Sequence, residues 1–275
     1  MNPSAESRTR STGSGSAPRS SPAALVHTIE GEIIPRLLLA HGAVAAPCRP
    51  AEAGHATAQD VEALANMALE TDAQEIAASL VGRRNAGVPL EAIYLDIVAP
   101  AARLLGAWWD DDRCSFTDVT LGLCRLQQAV RELGEERFSS RGPGDGAPRA
   151  LFSPAPGEQH VLGLAMIEEL FRKSGWRTDC APLSAPADVV RRVGESWHDL
   201  VGFTISDPAR CEALRRLIAE VRAASLNGHI RIMAGGVGLA GLDDPIAQLG
   251  VDAVAEDGRR AVLVAGRLVE QRTSC

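Results

Sequence analysis

From residue 149 to the carboxyl terminus, short apolar runs alternate with longer segments whose apolar residues recur at helical spacing, and that alternation leaves few folds open. Strands are expected at 150–153, 177–181, 200–205, 230–234 and 251–255, and helices at 159–174, 186–195, 208–226, 244–249 and 259–271. Five strands alternating with five helices require right-handed crossovers, hence a flavodoxin-like, doubly wound, five-stranded parallel sheet. Such sheets bind ligands in the crevice at the carboxyl ends of their strands. The loops after the first, third and fourth strands are therefore where chemistry is expected.

The first of these loops reads Gly157-Glu158-Gln159-His160-Val161-Leu162-Gly163. It holds an imidazole with a carboxylate two residues before it and a glycine three residues after. A neutral histidine can give one ring nitrogen to a metal while the other donates its proton to a carboxylate, which fixes tautomer and basicity. Gly163 would let a bulky group approach the backbone. These few residues alone favour the plainer reading, a solvent-exposed turn histidine beside a helix-start glutamate. The third-strand loop carries Thr204-Ile205-Ser206, and the fourth carries Gly235-Gly236-Val237-Gly238, which also fits a generic phosphate-binding turn.

The preceding region is helical. Thr57-Ala58-Gln59-Asp60 is a capping box ahead of Val61, Leu64, Ala65, Ala68 and Leu69. Thr71-Asp72-Ala73-Gln74 opens a second helix, Pro89 sits at the start of a third, and Ser115-Phe116-Thr117-Asp118 caps a fourth. Short connections between four helices predict an antiparallel bundle. Trp108 and Trp109 end the third helix, where paired indoles usually fill a core or an interface. The expected organisation is a disordered tail at 1–22, an amphipathic helix and linker at 23–54, a four-helix bundle cap at 55–139, and an α/β domain at 149–275. His198 reads as a surface imidazole, and Arg191-Arg192 and Arg215-Arg216 as exposed helix faces.

A net charge of −7 argues against unaided binding to a nucleic-acid backbone. A gene-regulating role would act through another protein. The six cysteines form no Cys-x-x-Cys pair, which removes zinc-ribbon and thioredoxin-like readings and suits a reducing compartment. With no apolar run long enough for a membrane span, the expectation is a soluble cytoplasmic protein.

The three loops together resemble the cobalamin-binding domain family, whose pattern is Asp-x-His-x-x-Gly, then Ser-x-Leu, then Gly-Gly. Here Glu158, His160 and Gly163 stand for the first motif. Forty residues lie between Gly163 and Thr204, and twenty-eight between Ser206 and Gly235, spacings that match the family. Glutamate replaces the aspartate, Thr204 the serine and Ser206 the leucine. The resemblance implies cobalamin bound base-off, with His160 as the metal ligand, Glu158 holding it, and Thr204, Ser206, Gly235 and Gly236 around the nucleotide tail. It also implies that Trp109, three residues after Gly106, covers the upper corrin face. Where several light-sensing relatives carry an upper Glu-His pair, this chain has Val119 and Thr120. Heme, which His160 could also ligate, is the competing cofactor.

The helical half is similar to the cobalamin-binding photosynthesis-gene antirepressors of purple bacteria, the AerR and PpaA type. The similarity rests on residues 30–38, on Trp109 with its aspartates, and on residues 116–126. It implies a light-responsive regulator without catalytic activity that engages a redox-sensitive repressor of the CrtJ or PpsR type. Corrinoid methyl-carriers share the bundle-plus-sheet layout and supply the alternative.

Overall fold

A computed structural model describes residues 56–135, 146–181 and 185–270. The expected tail, the amphipathic helix at 25–41 and most of the expected boundary at 139–148 lie outside the described residues. Four helical segments come first: α1 (Ala58–Glu70), α2 (Ala73–Asn85), α3 and α4 (Phe116–Glu135). The α3 helix has three contiguous parts, an α-helical Leu90–Ala92, a π-helical Ile93–Val98 and an α-helical Ala99–Asp110. Pro100 explains the wide turn. It has no N–H to return to the preceding turn, and the Ala99 N–H reaches back to the Tyr94 carbonyl.

The caps follow the sequence. Thr57 and Asp60 exchange hydrogen bonds as a capping box, and Arg83 pairs with the same Asp60 carboxylate at 2.7 Å. Ser115 and Asp118 repeat the reciprocal arrangement at the start of α4. At the other end of α1, where carbonyls have run out of intrahelical donors, Arg125 donates to the oxygens of Ala68 and Leu69 at 2.8 and 2.9 Å. Leu64, Ile76, Leu80, Ile93, Ile97, Leu105, Leu126 and Leu133 are buried in one cluster. Each such side chain contributes about 1.5–3 kcal/mol by leaving water.

The α/β region runs β1 (Arg149–Pro154), α5 (Leu162–Lys173), β2 (Arg177–Cys180), α6 (Pro186–Glu195), β3 (Leu200–Thr204), α7 (Cys211–Ala224), β4 (Arg231–Gly235), α8 (Pro245–Leu249), β5 (Ala253–Ala255) and α9 (Gly258–Glu270). All pairings are parallel, in the order β2-β1-β3-β4-β5, so the chain reverses its direction of winding between β1 and β3. That switch point opens a crevice at their carboxyl ends. Strand alternation sorts the faces. Phe152, Leu200 and Met233 pack with Leu164, Phe171 and Ala261, whereas Leu151, Val201, Phe203 and Ile232 pack with Val189, Leu214, Leu217 and Val221.

The α5 helix serves two cores, since Met166 and Leu170 join the bundle cluster while Leu164 and Phe171 face the sheet. The α4 helix approaches so closely that a Cβ on Gly134 would overlap the Glu169 carboxylate. Two ion pairs also join the bundle to the α/β region, Lys173 to Glu91 at 2.9 Å and Arg259 to Asp96 at 2.7 Å. Beside them lies a cavity of 660 Å³ lined by Pro89, Glu91, Asp96, Leu170, Gly258 and Arg259, among others, a different place from the switch-point crevice.

Two expectations need correction. His198 is not a surface imidazole: it is 1% exposed, with Nδ1 3.0 Å from the Ser196 carbonyl and Nε2 3.0 Å from the Asp179 carboxylate. The register of β3 against β1 draws it in, and Asn227 covers it by donating to its carbonyl at 2.9 Å. The helix expected from residue 159 begins at Leu162, because the Glu158 carboxylate accepts the N–H groups of Gln159 and His160 and holds them in a loop. Among the described residues, no helix is long and apolar enough to cross a membrane.

Candidate functional site

Pro154 ends β1, and the chain turns through Gly157, whose φ of +75° suits glycine. Glu158 follows with its side chain 1% exposed, and His160 with its side chain 31% exposed, at the rim of the switch-point crevice. Glu158 Oε1 accepts from the Gln159 N–H at 2.9 Å, the His160 N–H at 3.0 Å and His160 Nδ1 at 2.5 Å. Its other oxygen, Oε2, accepts the Ser206 N–H at 2.8 Å and the Ser206 hydroxyl. The loops after β1 and β3, 48 residues apart, are therefore joined through one carboxylate.

Burial by itself would raise the Glu158 carboxyl. The hydrogen bonds from the His160 ring, the Ser206 hydroxyl and the backbone N–H groups of both residues outweigh it and hold the group well below the ordinary carboxylate range. An ionised Glu158 only accepts, so His160 Nδ1 carries the proton and donates it. Nε2 is then the atom with a lone pair suited to a metal.

Arg210 is a member that sequence reasoning missed. Its Nε lies 3.9 Å from Glu158 Oε2 and from Asp207, and its Nη1 donates to the Pro156 carbonyl at 3.2 Å. Nothing in its local sequence marks it, since it ends a short 3-10 turn 52 residues after Glu158. Gly157 is what admits it, because a Cβ there would overlap its guanidinium.

The glycines divide by role. Gly236 has a φ of +119°, and a Cβ on it would overlap the Ile205 carbonyl oxygen; one on Gly238 would meet the Ser206 carbonyl carbon at 2.8 Å. These two let the β4 loop close on the β3 loop, a demand of the fold. A Cβ on Gly235 would lie 3.1 Å from the Ala255 carbonyl. Gly163, in the first turn of α5, faces open space, with nothing within 4 Å of an added Cβ. Trp109 belongs to the bundle: it packs against that core and meets the Phe116 ring edge-on at 6.3 Å.

Two buried side-chain atoms here have no hydrogen-bond partner among the described residues, Arg210 Nε and Thr204 Oγ1, and of these Arg210 Nε still has the Glu158 carboxylate 3.9 Å away. A buried hydroxyl in that state is destabilising until an acceptor reaches it. A group that brings an acceptor to Thr204 while its metal meets His160 fits both features, and a cobalamin with its nucleotide tail detached from cobalt is such a group.

Comparison with known proteins agrees with the geometry. The family model described as "B12 binding domain" matches residues 148–265. A Rhodobacter capsulatus protein, described as an uncharacterized 20.5 kDa protein in the bchF-crtJ intergenic region, is 30% identical over 175 residues, covering 63% of this chain and 90% of that protein. Among solved structures, the monomethylamine corrinoid protein of Methanosarcina barkeri superposes with a TM-score of 0.60 at 16% identity, over 76% of this chain and 98% of the other, which shows a shared fold. Residues 148–265 are a B12 binding domain, and the chain belongs to the same family as the Rhodobacter capsulatus protein encoded in the bchF-crtJ intergenic region.

Proposed function

We propose that the protein is a cobalamin-responsive antirepressor that binds the cofactor base-off, with His160 Nε2 below the cobalt, and then engages a redox-sensitive repressor of the CrtJ or PpsR type. The observation that carries the cofactor half is the His160 imidazole, oriented through Nδ1 by a buried, ionised Glu158 at the switch point. Ser206 and Arg210 hold that carboxylate from behind. Among the described residues no three His, Cys, Asp or Glu side chains gather as a metal site. A metal held by His160 therefore arrives with its equatorial ligands, as corrin cobalt does. When bound, the corrin would supply a cobalt centre sensitive to light and redox conditions, held by His160.

Thr204 favours cobalamin over heme, because cobalamin's long nucleotide tail can carry an acceptor into the sheet edge, whereas heme's acceptors are two short propionates at the rim of its ring. Trp109, at the end of α3, is the residue assigned to the upper corrin face. The regulatory half draws support from the relative encoded beside crtJ.

The test has two stages. Purified protein incubated with hydroxocobalamin retains the chromophore through gel filtration, and His160→Ala shifts its spectrum. The loaded protein then releases the repressor from operator DNA in a gel-shift assay, and His160→Ala does not. Loss of the first result removes the site, and loss of the second alone removes the antirepressor role. Methyl transfer to a thiol acceptor at a useful rate would instead establish a corrinoid methyl-carrier.

A further inference from the structure

The α9 helix rests on the sheet through Gly258, Ala261 and Ala265, which are all buried. At about 3.6 residues per turn, the opposite side of the helix carries Arg259, Leu263, Gly266 and Glu270 in a single line. Leu263 is 61% exposed, the most exposed large apolar side chain among the described residues. Gly266, one turn on, has nothing within 4 Å of an added Cβ. A glycine inside a helix gives up stability relative to alanine, and nothing in a single copy of this chain requires one at 266. Beside the line lies the 660 Å³ cavity bordered by α3 and α9, with Pro89, Ala92 and Val262 in its apolar walls. A knob, a notch and an apolar hollow thus share one outward face.

We infer that this face of α9 is the twofold interface of a homodimer. A twofold axis brings the same patch of two copies together, so the patch must complement itself. Antiparallel pairing of the two α9 helices, with Leu263 of each copy opposite Gly266 of the other, meets that demand. The leucine enters the space where no Cβ stands, and the helices approach closely. The same register sets Arg259 opposite Glu270 of the other copy at both ends of the contact, which pairs unlike charges. It also lays the stem of Arg267 over Val262 of the other copy. Arg259 holds Asp96 at 2.7 Å with its side chain still half-exposed, so it can bridge both carboxylates. Because α9 starts at the crevice end of the sheet, antiparallel pairing leaves the two crevices open at opposite ends of the dimer. The interface therefore stands independently of what the crevice binds.

The experiment is sedimentation velocity of the full-length apoprotein at concentrations up to about 200 µM. Wild type is expected to pass from one chain mass to two as concentration rises. Leu263→Glu should raise the dissociation constant about 100-fold or more, while its thermal midpoint as a monomer matches wild type, because the side chain is exposed. Gly266→Ala should weaken association about tenfold and yet leave the monomer's midpoint unchanged or raised, since alanine favours the helix but fills the notch. Glu270→Arg should weaken association by about 3–10-fold, and less so at high salt. If Leu263→Glu fails to fold, Gly266→Ala decides. A wild type that stays monomeric throughout, a dimer that survives Leu263→Glu, or association unchanged in Gly266→Ala overturns the inference, whether the face is then bare or kept for another protein.

Discussion

Replacing Glu158 by glutamine keeps the shape of the side chain and removes the charge on which the β1 and β3 loops converge. The two carboxylate oxygens accept five hydrogen bonds: three at Oε1, from Gln159 N, His160 N and His160 Nδ1, and two at Oε2, from Ser206 N and Oγ. A glutamine keeps one oxygen, and its amide nitrogen then faces donors on the other side. In the milder orientation, with the nitrogen toward Ser206, the backbone N–H of Ser206 loses its acceptor and the hydroxyl must turn. Hydrogen bonds to a charged group are worth about 1.5–3 kcal/mol each, and a buried donor left unpaired adds its own cost. With the side chain 1% exposed, water cannot substitute. Glu158→Gln should therefore destabilise the apoprotein by about 3 kcal/mol in urea unfolding. It should also weaken hydroxocobalamin binding by about 10–100-fold, since a neutral amide oxygen holds the His160 Nδ1–H less strongly than a carboxylate does. Glu158→Asp should fall between, because a side chain one methylene shorter cannot span both His160 Nδ1 at 2.5 Å and the Ser206 N–H at 2.8 Å. A Glu158→Gln apoprotein within about 0.5 kcal/mol of wild type would refute the reasoning.

Four further outcomes follow from other parts of the molecule. Gly236→Ala, at a φ of +119° against the Ile205 carbonyl, should cost about 2 kcal/mol or more in apoprotein stability; Gly163→Ala, facing open space inside a helix, should be neutral or stabilise by up to about 1 kcal/mol, yet weaken cobalamin binding if the cofactor passes there. Asp60, held at about 2 by Thr57 and then Arg83, contributes stability that is present above the ordinary aspartate value and is lost as pH falls through about 2. Asp60→Asn should accordingly cost about 1 kcal/mol at neutral pH, with the difference from wild type closing toward pH 2 in acid-unfolding curves. His198→Ala should cost about 2 kcal/mol in urea unfolding, where an exposed histidine would cost almost nothing.

The pattern of apolar runs located all five strands, and the capping boxes at Thr57 and Ser115 and the stretch 71–74, within which Asp72 proves to be the cap, located three helix starts, because both signals are local. Glu158 and His160 were legible for the same reason, lying two residues apart in a turn after a strand. Their surroundings were not. Ser206 and Arg210 reach Glu158 only because β1 and β3 are adjacent in the sheet, a fact of topology that no short window contains. His198 reads as exposed because it lies beside Trp197 at a helix end before a strand; the register that puts the Asp199 N–H on the Arg149 carbonyl carries it inside. The Gly236 requirement is likewise tertiary, since its Cβ would collide with a loop thirty-one residues earlier in the chain.

The central claim, a protein imidazole beneath a corrin cobalt, is tested most directly by electron paramagnetic resonance of the protein loaded with cobalamin and reduced to the cobalt(II) state. In protein grown with nitrogen-15 histidine and loaded with unlabelled cofactor, an axial His160 nitrogen splits each cobalt line into a doublet, and His160→Ala abolishes that splitting. A triplet indifferent to the label would show that the axial nitrogen belongs to the cofactor's own base, and would contradict the account.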